Sequence, residues 1–273
     1  MSTNLISPLR DGMNVLRRHG PHVLADEAKR YLRGMAYAPY WQYRYGIKPK
    51  HGFESARSTE LPVFRDLFAN LRKDDVFYDV GAYKGLFTLP VADILPPNRV
   101  VAFEPGEQAA AIESALEDAG LDATVVRKAI SANRGSGYHS LNDGDRVGFL
   151  GDSAEHVELP SIDATEIIED GTLPLPTVVK IDVYGAEVDV VAGLEELLAR
   201  PECRLVYCEL HLPTSFQRDR PDQVFEEFIG GWSFTDIVQT FFRCGLEVEP
   251  MYLRADTHDL FLKAYRPGTG VSD

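Results

Sequence analysis

Acidic and glycine residues at the ends of two hydrophobic runs are the first candidates for chemistry in this sequence. VFYDVGAYKG places Asp79 near the end of one run, with Gly81 and Gly85 in the turn that follows. The run VVAFEP ends in Glu104, nineteen positions after Gly85. In a doubly wound α/β fold such glycines let backbone approach a ligand, and an acid at the second strand end accepts hydrogen bonds from ribose hydroxyls. The spacing therefore predicts a nucleoside-binding site.

The residues between the two glycines indicate which nucleoside cofactor fits. A dinucleotide needs several glycines, because its pyrophosphate rests on bare backbone at a helix N-terminus. The bulky pair Tyr83 and Lys84 stands at that place. S-adenosylmethionine has no phosphate, and its amino-acid moiety and sulfonium favour nearby acids. The loop therefore favours methyl transfer over hydride transfer, with an NAD-dependent sugar oxidoreductase as the weaker alternative.

These residues need strands and helices to position them. From residue 61 onward, strand-like apolar runs alternate with helical runs, which indicates a mostly parallel sheet with helices on both faces. The last two strand candidates are predicted to form a hairpin that adds one antiparallel strand. Strands are predicted at Val76–Val80, Arg99–Glu104, Ala123–Ala129, Thr177–Val183, Arg204–Leu210, Leu246–Tyr252 and His258–Tyr265. Helices are predicted from Leu61 and at Lys84–Ile94, Gly106–Ala119, Glu187–Arg200 and Pro221–Ile229.

Charge and composition predict three parts in the chain. Residues 1–60 are predicted to form a basic arm of two short helices and an aromatic stretch. Residues 61–267 are predicted to form the α/β domain, with a β insertion at 135–160, and residues 268–273 a flexible tail. Residues 1–52 carry nine Lys or Arg and three acids, so the overall charge of −14 leaves −20 on the rest. That acidic body would repel phosphates, which argues against nucleic acid as a partner.

The basic arm bears on the acceptor and on localisation. Basic amphipathic helices with interfacial aromatics suit anionic headgroups, so the arm favours an anionic or lipid-linked acceptor, while a packed connector is the alternative. The sequence has no apolar run of about 18 residues and no signal peptide at its start, which predicts a cytoplasmic protein, with peripheral contact at the inner membrane face left open.

Cys203, Cys208 and Cys244 lack disulfide or zinc-site spacing and are expected to be buried thiols.

Five motifs in this order resemble the FkbM family of S-adenosylmethionine-dependent methyltransferases. The resemblance covers roughly Val76–Arg266. It implies a Rossmann-like class I methyltransferase fold, an α/β fold with a mostly parallel seven-stranded sheet and an antiparallel last strand, and transfer to oxygen, commonly a hydroxyl of a sugar or secondary metabolite. The motifs are DVGAYKG (79–85), FEP (103–105), KAIS (128–131), KIDVYGAE (180–187) followed by Gly193 and Leu194, and CELH (208–211).

Two positions depart from the family pattern. Tyr83 stands where the family usually has Asn, and Tyr184 where it usually has Glu. Cofactor binding is expected to survive both changes, because the two loop glycines and the acid after the second strand remain. Tyr184 lies beside the expected catalytic strand end, so it is either a determinant of acceptor choice or a packing residue.

The acceptor side is predicted at the ends of the fourth and fifth strands. A hydroxyl acceptor must lose its proton, and a positioned base contributes roughly 10²–10⁴-fold. Asp182 ends the fourth strand, where ligands bind in this architecture, and is favoured over Glu187, which begins the next helix and suits its dipole. Glu209 and His211 end the fifth strand, and a histidine is a base near neutral pH. The structural alternatives are a turn cap for Asp182 and a Glu209–His211 hydrogen bond that supports the sheet.

Three further sites complete the sequence prediction. Lys128 and Ala129 are expected to end the third strand near the adenine. Ser161–Asp163 is interpreted as a helix start. Acids such as Asp79, Asp182 and Glu209 are possible Mg²⁺ ligands in principle, but their spacing does not require an ion, so no metal is predicted.

The sequence thus predicts an O-methyltransferase that acts on a sugar or uronic acid of a lipid-linked cell-surface glycan. The alternatives are methylation of a soluble secondary metabolite, the NAD-dependent oxidoreductase and a non-catalytic binding module. Leu212–Trp232 is expected to cover the pocket. The predicted S-adenosylmethionine-binding residues are Asp79, Gly81, Tyr83, Gly85, Glu104, Lys128 and Ala129, and the predicted acceptor residues are Asp182, His211 and Glu209.

Overall fold

The computed structural model of the protein describes residues 61–132, 136–140, 156–183, 186–211, 234–253 and 260–270. The predicted basic arm, Tyr184, the predicted cover Leu212–Trp232 and the predicted helix Pro221–Ile229 lie outside these residues.

The described residues form seven helices and ten strands. The helices are α1 (Leu61–Asn70), α2 (Thr88–Ala92), α3 (Gln108–Ala119), α4 (Ala164–Asp170), α5 (Glu187–Gly193), α6 (Glu195–Leu198) and α7 (Phe234–Arg243). The strands are β1 (Phe77–Val80), β2 (Val100–Phe103), β3 (Thr124–Val126), β4 (Ala129–Ile130), β5 (Ser136–Ser140), β6 (His156–Ile162), β7 (Val178–Ile181), β8 (Leu205–Leu210), β9 (Glu247–Leu253) and β10 (Leu260–Tyr265).

Seven strands form the main sheet in the order β3-β2-β1-β7-β8-β10-β9. The pairs from β3 to β8 are parallel. β10 runs antiparallel to both of its neighbours, β8 and β9. The predicted fold, a mostly parallel seven-stranded sheet whose last strand is antiparallel, is confirmed.

The central strands are buried over their whole length, as strands of a sheet covered on both faces must be. Helix α1 contributes Phe64, whose ring stacks on that of Phe87 at 4.1 Å between centroids. Helix α5 ends at Gly193, where an added Cβ would lie 2.6 Å from the Ser131 carbonyl carbon. The Gly193 that follows the KIDVYGAE motif therefore lets α5 pack directly against backbone next to β4.

The third predicted strand, Ala123–Ala129, is wrong as a single element. β3 ends at Val126, and β4 pairs instead with β6, which also pairs with β5 in a separate three-stranded sheet. The break falls at Arg127 and Lys128, whose side chains turn to carboxylates on two different helices, Glu113 and Glu166. Two diverging ion pairs at consecutive positions mark the point where the chain leaves the main sheet.

Helix boundaries also differ from the prediction. The predicted Lys84–Ile94 helix is shortened to α2, because the turn before it contains positive φ at Tyr83 and Gly85. The predicted Glu187–Arg200 helix is split into α5 and α6 around Leu194. Helix α7 was not predicted, although its buried Ile237, Thr240 and Phe241 recur at helical spacing.

The three cysteines are free and buried, as expected. Burial raises the pKa of all three thiols, to about 12 for Cys203 and about 11 for Cys244. Among the residues that the structure describes, no helix combines the length and the apolarity needed to cross a membrane.

Candidate active site at the carboxyl edge of the sheet

Four candidate residues directly follow four neighbouring parallel strands. Gly81 follows β1, Glu104 follows β2, Asp182 follows β7 and His211 follows β8. The strand order reverses between β1 and β7, because β2 and β3 lie on one side of β1 while β7 and β8 lie on the other. Ligands of open α/β sheets bind outside the carboxyl ends of the strands at this switch point. The topology therefore gathers the predicted residues at one edge.

The turn after β1 needs glycine for two reasons. Gly81 and Gly85 have φ of 77° and 78°, a region that residues with a Cβ rarely adopt. A Cβ on Gly81 would lie 1.9 Å from the Asp182 carbonyl oxygen. The glycine thus lets the turn after β1 pack against the turn after β7. This close approach places the loop after β1 beside Asp182.

Glu104 joins the loops that follow β1 and β2. Its Oε2 accepts a hydrogen bond from the Tyr83 N–H at 2.8 Å, and its Oε1 accepts one from the Gly106 N–H at 2.9 Å. Burial raises the pKa of the Glu104 carboxyl, while these two N–H groups oppose that rise. Each carboxylate oxygen keeps a further lone pair, so the side chain can accept two more hydrogen bonds.

Tyr83 adopts an unusual backbone conformation in this loop. Its φ of 50° lies in the left-handed region, which Asn tolerates far better than Tyr. The side chain is 41% exposed, and the Lys84 Nζ lies 4.9 Å from its ring centroid. The Asn usual in the family is thus the residue that this backbone favours, and Tyr83 sits here under strain.

Asp79 lies beneath the turn and has no exposed surface. Its Oδ2 accepts a hydrogen bond from the Thr88 hydroxyl at 2.6 Å, and its Oδ1 lies 3.4 Å from the Lys180 Nζ. The Lys180 ammonium also lies 3.2 Å from an Asp182 carboxylate oxygen and 4.9 Å from the Phe87 ring centroid. One buried cation therefore links the acid in β1 to the acid that follows β7.

This contact sets the charge state of the site. Burial alone would lower the pKa of Lys180, but the Asp182 and Asp79 carboxylates outweigh it and raise that pKa above its ordinary value. Burial opposes ionisation of Asp182, yet Lys180 and His211 hold the Asp182 pKa below its usual range. Asp182 is therefore a carboxylate at neutral pH, and 32% of its side chain is exposed.

His211 lies between two carboxylates. Its Nδ1 is 2.6 Å from Glu187 Oε1, and its Nε2 is 3.7 Å from Asp182 Oδ1. Burial lowers the pKa of the imidazole, but Glu187, Glu209 and Asp182 together raise it to about 9. At pH 7 these acids favour the imidazolium form, so the pKa near 6.5 of an ordinary histidine does not apply to His211, and its role as a base stays a prediction.

Asp182, Glu209 and His211 form a compact cluster. One ligand atom from each lies within 4.8 Å of the others, a spacing that suits a metal ion. Coordination requires the neutral imidazole, so an ion bound here would displace the proton on Nε2 of His211. The same three side chains can also exchange hydrogen bonds and protons with a hydroxyl group.

The remaining predicted residues lie next to this edge or beyond it. The Glu104 N–H donates to the Val126 carbonyl, which brings the end of β3 beside the cofactor loop. Lys128 follows two residues later and pairs with Glu166 at 2.7 Å, and Ala129 belongs to β4. Asp163 accepts a hydrogen bond from the Glu166 N–H and caps α4, which agrees with the interpretation of Ser161–Asp163 as a helix start.

Two residues of the site were not selected from the sequence. Lys180 could have been found, because it stands two positions before Asp182 and a strand places such residues on one face. Glu187 was set aside as a helix-dipole residue, and its contact with His211 bridges 24 positions that the sequence does not relate.

Comparison with known proteins decides the family. A profile of the methyltransferase FkbM domain matches residues 79–248. The chain belongs to the FkbM methyltransferase family. The match spans the turn after β1, the acid after β2, Asp182 and His211. It confirms the family, the methyltransferase class of the domain and the S-adenosylmethionine cofactor that the motifs predicted.

Individual relatives are more distant from this FkbM chain. The hexuronic acid methyltransferase AglP of Haloferax volcanii is 28% identical over 160 residues, which are 56% of this chain and 62% of AglP. The structure of methyltransferase FkbM from Methylobacillus flagellatus KT aligns with a TM-score of 0.46 and 14% identity, covering 93% of this chain and 60% of that one. Cofactor-bound Rv0187 from MTB aligns with a TM-score of 0.47 and 15% identity over 97% and 98% of the two chains.

Proposed function

We propose that the protein is an S-adenosylmethionine-dependent O-methyltransferase that binds its cofactor beside β1 and β2 and its acceptor beside β7 and β8. The observation that carries the proposal is the partly exposed Asp182 carboxylate, held between Lys180 and His211 at the switch point of the sheet. An ionised acid beside an imidazole at this edge suits an acceptor that must be oriented and deprotonated.

The cofactor side fits a nucleoside without phosphates. Glu104 retains lone pairs for ribose hydroxyls, and the loop that it holds carries the Tyr83 and Lys84 side chains where a pyrophosphate would need bare backbone. Gly81 and Gly85 shape this loop, and Asp79 supports it from below through Lys180 and Thr88. Lys128 and Ala129, just beyond β3, complete the proposed binding residues on the adenine side.

The acceptor side aligns an oxygen with the methyl group and removes its proton. When bound, S-adenosylmethionine supplies a methyl group activated by a sulfonium. Asp182 accepts a hydrogen bond from the acceptor hydroxyl and fixes its direction. His211 Nε2, once neutral, takes the hydroxyl proton as the O–CH₃ bond forms and the S–CH₃ bond breaks, with the electron pair remaining on sulfur. Because a positive charge bound nearby lowers the His211 pKa, cofactor binding favours the neutral base.

The proposed acceptor is a sugar or uronic-acid unit of a lipid-linked cell-surface glycan. AglP, the relative from Haloferax volcanii, is described as a hexuronic acid methyltransferase, and this supports a uronic acid here. The basic and aromatic sequence of residues 1–52 supports an anionic, lipid-linked acceptor and peripheral contact with the cytoplasmic membrane face.

The transfer itself can be tested with labelled cofactor. We expect the full chain to move a labelled methyl group from S-adenosylmethionine to glycan from cells that lack the protein, with the label recovered in hexuronic acid. Asp182→Asn should slow the transfer about 10²–10⁴-fold, whereas Asp170→Asn, at an exposed position of α4, should not. Label recovered only in soluble metabolites would favour the alternative acceptor class, and no transfer to either fraction would contradict the proposal.

The role of the arm can be tested in the full chain. Replacing Arg17 and Arg18 with Glu reverses charge in the basic arm and changes none of the residues proposed to bind cofactor or acceptor. We expect weaker methylation of lipid-linked acceptor and unchanged affinity for S-adenosylmethionine. If the variant methylates lipid-linked acceptor as fast as the wild type does, the membrane part of the proposal is contradicted.

A further inference from the structure

The side chain that contacts His211 most closely is one that the proposed reaction does not use. Glu187 Oε1 lies 2.6 Å from His211 Nδ1, and both side chains are buried. Glu187 is the first residue of α5, which follows the turn after Asp182. The contact joins the helix after β7 to the end of β8, so it holds His211 from the side opposite Asp182.

The geometry determines which ring nitrogen faces the edge of the sheet. A carboxylate only accepts hydrogen bonds, so Glu187 requires a proton on Nδ1. A neutral His211 must then keep its proton on Nδ1 and leave a lone pair on Nε2, the atom 3.7 Å from Asp182 Oδ1. Without Glu187, this contact would no longer favour the proton on Nδ1.

We propose that Glu187 is the positioning residue of the site: it fixes the ring and tautomer of His211, so that Nε2 faces Asp182 and the acceptor oxygen. The inference rests on the proposed function for its catalytic consequence, because Nε2 is the atom that would receive the acceptor proton. It assigns Glu187 a role beyond a favourable charge at a helix N-terminus.

Several charged groups act on His211 together. Glu187 approaches from α5, Asp182 from the end of β7 and Glu209 from β8, and all three favour the imidazolium. Lys180 carries a positive charge and lies near the other carboxylate oxygen of Asp182, Oδ2. Glu187 lies within hydrogen-bond distance of the ring, so removing its charge should lower the His211 pKa.

The test uses ¹⁵N NMR of the histidine rings in the full chain without cofactor or acceptor. The His211→Gln variant assigns the His211 signals among the seven histidines of the chain. In the wild type we expect the neutral ring, observed above pH 9, to carry its proton on Nδ1. Glu187→Gln keeps an acceptor oxygen but removes the charge, so it should lower the His211 pKa by at least about one unit while the Nδ1–H tautomer persists.

Asp189→Asn is the matched control. Asp189 is the other acid in the first turn of α5, where it accepts a hydrogen bond from the Ala132 N–H. If Glu187 acts only on the helix dipole, both variants should change the His211 pKa equally, and this result would overturn the proposal. A wild-type neutral ring with its proton on Nε2 would also overturn it, and that measurement needs no variant to fold.

The catalytic consequence is tested separately by the pH dependence of methyl transfer. We expect the lower midpoint of the kcat/KM profile to move down in Glu187→Gln along with the His211 pKa, and to stay in place in Asp189→Asn. If the kcat/KM profile of Glu187→Gln stays fixed while the His211 pKa measured by NMR moves, Glu187 does not act in catalysis. This result would overturn the catalytic part of the proposal. Absence of transfer in every variant and in the wild type would instead refute the proposed function, with the NMR result unaffected.

Discussion

Asp79 and Lys180 occupy paired register positions on β1 and β7, and their Oδ1 and Nζ atoms lie 3.4 Å apart in the buried interior of the sheet. This pair explains why charged residues stand in two strands that are otherwise apolar. Each is tolerated because the other is present, and the Asp182 carboxylate at the sheet edge is a second anion 3.2 Å from the lysine.

Removing the buried cation should therefore destabilise the protein strongly. Lys180→Met leaves Asp79 and Asp182 without their ammonium partner, so the free energy of unfolding should fall by about 3–5 kcal/mol. Urea denaturation followed by circular dichroism measures this loss. Lys128→Met is the control, because the Lys128–Glu166 pair is partly exposed to solvent and should contribute no more than about 1 kcal/mol. Equal losses in the two variants would contradict the importance of the buried pair.

The stability of the protein should depend on pH through His211. The folded-state pKa is raised to about 9, above an unfolded value near 6.5, so the stabilisation is complete below pH 6.5 and is lost as pH rises to about 9. The loss over this window should be at most about 3 kcal/mol. Unfolding measured across pH 6–10 should show this slope in the wild type and lack it in His211→Gln. Parallel curves for the two proteins would mean that His211 is not held as an imidazolium.

Gly81 should be the glycine least tolerant of substitution. In Gly81→Ala the new Cβ would strike the Asp182 carbonyl in addition to the unfavourable positive φ, so unfolding free energy should fall by at least about 2 kcal/mol. Gly120→Ala has a similar φ of 65° and open space around the Cβ, so it should cost only about 1 kcal/mol. Thermal unfolding compares the two, and a Gly120 variant at least as unstable as the Gly81 variant would count against the close contact.

Tyr83 should be replaceable at little cost to folding or cofactor binding. Tyr83→Asn places a residue that tolerates φ near 50° and should raise stability by up to about 1 kcal/mol, while β-branched Tyr83→Val should lower it. Cofactor affinity should fall less than in Glu104→Ala, because the Tyr83 main-chain N–H, not its ring, contacts Glu104. Calorimetric titration measures the affinities, and the reverse order would show that the ring itself holds the ligand.

The ends of the central strands could be predicted from sequence, because apolar runs of strand length terminate in the residues of the site. Asp182 and His211 each directly follow such a run, and the topology alone then brings them to one edge. The third strand could not be bounded, since the chain leaves the sheet at Arg127 and Lys128, whose partners lie on two helices distant in sequence. The charge state of His211 could not be predicted from the sequence either, because it depends on contact with Glu187, a residue of another element.

In the proposed function the sheet edge has two sides, a cofactor side held by Glu104 and an acceptor side at Asp182. Calorimetric titration of S-adenosylmethionine into the full chain and two isosteric variants tests it most directly. Glu104→Gln replaces an oxygen that accepts a backbone N–H with a donor, so affinity should fall at least about tenfold, which is about 1.4 kcal/mol. Asp182→Asn should bind the cofactor within about threefold of the wild type, because Asp182 belongs to the acceptor side. Wild-type affinity in Glu104→Gln, or an equal loss in Asp182→Asn, would contradict the account.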